Sequence, residues 1–64
     1  MEERSQIIEQ LRIEKFKMIK RLHDFNMSID EIAVIVNLPV DKIKKILEAG
    51  EHGIELIQES DLLS

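Results

Sequence analysis

Cysteine, tryptophan and tyrosine are missing from this sequence; proline occurs once, glycine twice and phenylalanine twice. Without cysteine there is no disulfide and no thiolate zinc site to brace a small fold. The two histidines, His23 and His52, fall in different predicted elements, so no structural metal is expected from them. The longest nearly unbroken apolar run, residues 32–40, is interrupted by Asn37 and is far too short to span a bilayer. The opening MEERSQIIEQ mixes both signs of charge and lacks the apolar stretch of a secretory signal. These absences predict a soluble cytoplasmic protein with no membrane, metal or cofactor partner.

What is present is charge and aliphatic bulk. Nine Lys and Arg stand against thirteen Asp and Glu, a net charge of −4, which opposes general attraction to nucleic-acid phosphate. The charge is uneven along the chain. Residues 12–21 carry Arg12, Lys15, Lys17, Lys20 and Arg21 against Glu14 alone, whereas residues 51–64 contain no Lys or Arg. Sixty-four residues make one domain at most, with a core too small for comfort, and self-association is the expected support.

Sparse Gly and Pro, the lack of strand-like alternation and the dominance of Ile, Glu, Leu and Lys predict an all-α fold. A first helix is expected over about residues 5–24, with Ile7, Ile8, Leu11, Met18, Ile19, Leu22 and then Phe25 on its core face. Lys15 interrupts that stripe, while Ile13 and Phe16 project from nearly the opposite side. A second helix, 29–36, starts at the capping box Ser28-x-x-Glu31, and its run from Ile32 to Val36 is apolar in almost every direction. Asn37 suits a left-handed helix end and Pro39 prevents continuation. A third helix, 40–49, follows, with Val40, Ile43, Ile46 and Leu47 inward, Asp41, Lys42, Lys44, Lys45 and Glu48 outward, and Gly50 as its stop. The expected architecture is a small helix-turn-helix-like three-helix unit completed by dimerisation, with residues 1–50 as the folded body. Residues 51–64 are expected to be an acidic appendage with room for one short helix around Ile54, Ile57 and Leu62.

No nucleophile stands beside a base, so no catalytic residue is assigned and the chain is not expected to be an enzyme. Ile13 and Phe16 on the first helix, with Val34 and Ile35 on the second, form more apolar surface than one small bundle hides, and are the predicted oligomer interface. A first helix that packs on a different side would instead let one chain use all of it. Lys42, Lys44 and Lys45 are the candidate nucleic-acid contacts of the competing reading, in which the third helix enters a DNA groove. That helix carries no Arg, Asn or Gln to read bases, so it would position rather than specify.

The stretch FNMSIDEIAVIVNLPVDKIKKIL, residues 25–47, resembles the C-terminal tail of the recombination-promoting nuclease (Rpn) family, transposase-related enzymes of the PD-(D/E)XK class. In that tail a Gly-Met-Ser-Ile-Glu-Glu-Ile-Ala type helix start leads through a Gly-Leu-Ser type turn to an Ile-Lys-Lys-Leu type helix. Asn26 and Asn37 stand where the family commonly has glycine, Pro39 replaces the capping Ser, and Val34 takes a position usually polar. The resemblance implies a metal-dependent DNA-cleaving domain upstream, and the class needs an acid-x-Lys element that these residues do not contain. With Met1 just ahead of the first helix, the expectation is the tail without its nuclease, whether translated separately or trimmed from it. The implied partners are a second copy and the full-length nuclease bearing the same tail, which the short chain would hold inactive in the manner of an antitoxin. A fragment with a role only inside the longer enzyme is the remaining alternative.

Overall fold

In the computed structural model, residues 3–62 are described, with side chains from residue 6 onward. Among the described residues four α-helices and one 3-10 helix follow in order: α1 (Glu3–Asp24), α2 (Ile29–Val36), α3 (Val40–Ala49), the 3-10 helix (Gly50–Leu56) and α4 (Glu59–Leu62). There is no strand among the described residues, so the all-α expectation holds.

Local chemistry sets the first two turns. At the end of α1, Asn26 takes φ 64°, the Asn26 N–H donates to the His23 carbonyl at 3.0 Å and the Met27 N–H to the Leu22 carbonyl at 3.2 Å. This pair of bonds is a Schellman motif, with asparagine in the left-handed place glycine normally takes. α2 opens on the expected capping box: Ser28 Oγ accepts from the Glu31 N–H at 3.2 Å, while the Ser28 N–H donates to Glu31 Oε1 at 3.4 Å. It closes at Asn37, φ 60° and ψ 49°, and the next N–H, of Leu38, returns to the Ala33 carbonyl at 3.0 Å. Both Leu38 and Ala33 are buried, which anchors the turn into α3. Pro39 then occupies the N-cap of α3 with no side-chain cap bond.

The core is Ile19 from α1, Ile32, Ala33 and Val36 from α2, Leu38 from the turn, Ile43 and Ile46 from α3, and Ile57. Ile57 lies in the segment expected to be an appendage, yet it is only 1% exposed. The 1–50 body is therefore corrected: through residue 62 the C-terminal segment belongs to the folded unit. Gly50, at φ 64° and ψ −130°, turns the chain out of α3, and the 3-10 helix folds back against it. Gly53 makes that return close. A Cβ there would run into the Ile46 carbonyl oxygen and stand 2.9 Å from Ile46 Cγ2.

α1 is rolled relative to its expected setting. The covered line runs one residue later along the chain, through Ile8, Arg12, Lys15, Ile19 and Leu22, with Phe16 packed against the core beside it. Ile7, Leu11, Met18 and Phe25, expected inside, are exposed. Two half-buried cations lie on this inner line, where an aliphatic stem covers apolar surface while the charged head reaches outward, although Arg12 Nε is buried without a hydrogen-bond partner. Arg12 Nη1 lies 3.2 Å from Glu9, and Lys15 Nζ donates to the Asp61 carbonyl of α4 at 3.0 Å.

Candidate interaction surface

The roll of α1 redistributes the predicted interface residues. Phe16 is half-buried and packs on its own chain's core, and Ile13 is half-buried as well. Both are therefore corrected from the outer side of the helix to partly covered positions. Val34 and Ile35 do face outward, 81% and 53% exposed. Around them the surface is apolar and concave. One open depression is lined by Met27, Asp30, Glu31, Val34 and Ile35. A second, between α1 and α2, is lined by Glu14, Lys17, Met18, Arg21, Leu22 and Ile35. A third is lined by Leu11, Glu14, Lys15, Met18 and Leu62.

Ile35 is common to the first two depressions and Met18 to the last two, so they join into one strip from Leu11 through Met18 and Ile35 to Val34. Charges flank it unevenly. Lys17 and Arg21 stand on the α1 side, Asp30 and Glu31 on the α2 side, one helical turn before Val34 and Ile35. Such a strip on so small a chain is the usual mark of a contact surface. Leu11 and Met18 are the residues that helical periodicity assigns to the core. Their heptad-like spacing with Ile7 and Phe25 is the signal that could have separated them from it.

The neighbouring edge of α1 is occupied by the chain's own C-terminal segment, whose Leu62 borders the third depression. Asp61 sits at its centre. Its Oδ2 accepts from the Gln58 N–H at 2.8 Å and pairs with Lys42 Nζ at 3.1 Å, while Lys15 bonds the same residue's carbonyl. Desolvation pushes the Asp61 carboxyl upward, but the Gln58 N–H, the Lys42 bond and the charges of Lys42 and Lys15 outweigh it, so its pKa lies below the ordinary 3.8.

This clasp also removes one candidate nucleic-acid contact from solvent duty. Lys42 is half-buried against Asp61, leaving Lys44 and Lys45 as the exposed lysines of α3. His23 is exposed in the last turn of α1, and His52 is exposed with Nδ1 3.8 Å from the Glu55 carboxylate. No three His, Asp or Glu side chains converge as a metal site requires among the described residues. No helix among them is long and apolar enough to cross a membrane. Comparison with known proteins finds no family model, no curated protein and no solved structure that matches this chain.

Proposed function

We propose that this chain is a non-catalytic protein-interaction module that self-associates through the α1–α2 strip and pairs with the same tail in an Rpn-type nuclease, restraining it. The observation that carries the reading is the continuous apolar strip joining Leu11, Met18, Ile35 and Val34 on an otherwise completed core. A surface used by two identical chains is shared with any longer chain carrying it, so mixed pairs form by mass action. The nuclease as partner rests on the resemblance of residues 25–47 to the family tail.

The test has two stages. Sedimentation equilibrium at tens of micromolar is expected to give a dimer or higher species, and a strict monomer would remove the reading. Co-purification with a full-length nuclease bearing this tail, followed by a DNase assay, is expected to give reduced cleavage at excess short chain; unchanged cleavage would remove the inhibitory role. The competing DNA reading retains the exposed Lys44 and Lys45 but loses Lys42 to Asp61 and faces a net charge of −4. A gel shift at moderate salt that Lys44→Glu and Lys45→Glu abolish would favour it instead.

A further inference from the structure

The outward line of α1 carries its own alignment code. Ile7, Leu11, Glu14, Met18, Arg21 and Phe25 recur at alternating spacings of four and three, the pattern of a helix–helix seam, and all six are exposed. Four are apolar. The two interruptions are charges of opposite sign, placed almost symmetrically to either side of Met18. Among the described residues neither Glu14 nor Arg21 forms an ion pair within the chain; Glu14 only accepts from Gln10 Nε2 at 3.3 Å.

We infer that the occupant of this seam is α1 of a second copy, running antiparallel about a two-fold axis beside Met18, with Glu14 of each chain facing Arg21 of the other. The inference rests on the self-association proposed above and specifies its register. Two-fold symmetry makes each patch meet itself, so a residue a given distance before the axis meets the one the same distance after it. Met18 then meets Met18, Leu11 meets Phe25, and Glu14, four residues before the axis, falls within one position of Arg21 of the second copy, three residues after it, so that the charges cross-pair twice. A parallel pairing in register sets Glu14 against Glu14 and Arg21 against Arg21, two like-charge contacts that the antiparallel register avoids. The charge order thus selects a direction as well as a partner. Val34 and Ile35, which share a depression with Met18 and Arg21 or border it, extend the same contact onto α2.

Charge exchange tests this without disturbing the core, because both positions are exposed. Glu14→Arg alone and Arg21→Glu alone each oppose like charges across the seam and are expected to weaken association about tenfold or more, measured by sedimentation equilibrium at low salt. The double variant restores opposite charges and is expected to return to within about threefold of the parent. Circular dichroism checks that each variant keeps the parent's helicity. If the parent associates but the single exchanges leave the affinity unchanged, or the double variant is weaker than either, the register is overturned while self-association stands. A strict monomeric parent overturns both.

Discussion

The two edges of α1 are built from similar residues and meet different fates. On one edge Lys15, Phe16 and Ile19 are covered by the chain itself, and the lysine head is consumed by Asp61. On the other, Leu11, Met18 and Phe25 remain in solvent with Glu14 and Arg21 between them. The covered edge lies against α2, the 3-10 helix and α4, whereas on the other edge α4 reaches only the margin, where Leu62 lines a depression with Leu11 and Met18. A short chain has enough covering material for one side of a long helix, and the side left over is the one we propose for a partner.

Truncating the covered edge should produce the largest effect. Ile19→Ala removes a fully buried side chain from the centre of the core and is expected to cost about 2–5 kcal/mol, read from urea unfolding. An outcome under 1 kcal/mol would mean α1 does not pack by this edge. Next comes Gly53→Ala, whose methyl meets the Ile46 carbonyl; overpacking of this kind costs roughly 1–3 kcal/mol. Unchanged stability there would detach the 3-10 helix from α3.

The clasp itself is worth less. Asp61→Asn weakens the bonds to Lys42 and the Gln58 N–H at a half-covered site, and a loss of about 1 kcal/mol is expected. Its pH signature has a fixed sign. Because the folded-state pKa is below the unfolded value near 3.8, the carboxylate's contribution is complete above that value and fades as pH falls through the folded pKa. Urea titrations between neutral pH and the acid range should therefore show the parent losing its advantage over Asp61→Asn on acidification. An advantage that persists in acid would place the effect elsewhere. Smallest on folding is the uncovered edge: Leu11→Gln and Ile35→Gln should change monomer stability by about 0.5 kcal/mol or less while weakening association.

The elements whose limits depend on neighbouring residues were open to a reading of the sequence. Ser28 and Glu31, Asn37 and Gly50 each act on backbone groups within a few positions, and α2 and α3 have the bounds they predict. The setting of α1 was not open in the same way. Periodicity counts Arg12 and Lys15 against the face they belong to; Arg12 pairs with Glu9 on the same helix, but the partner of Lys15 lies in α4, forty-six residues away in sequence. The role of the C-terminal segment was hidden for the same reason, since Gly53 is legible only beside Ile46 and Asp61 only beside Lys42. Of the proposed interface, Val34 and Ile35 could be read from a helix too short to hide apolar residues in every direction. Leu11 and Met18 are harder to read, because an apolar stripe on a helix is first assigned to the core and only their heptad-like spacing with Ile7 and Phe25 points the other way.

Met18→Glu is the sharpest probe of whether the uncovered edge is a contact surface, because Met18 joins two of the depressions. Sedimentation equilibrium, paired with thermal unfolding at several protein concentrations, should give a parent that associates and whose Tm rises with concentration. The variant should be a folded monomer with a concentration-independent Tm. A parent that stays monomeric, or a variant that associates as strongly as the parent, would contradict the account.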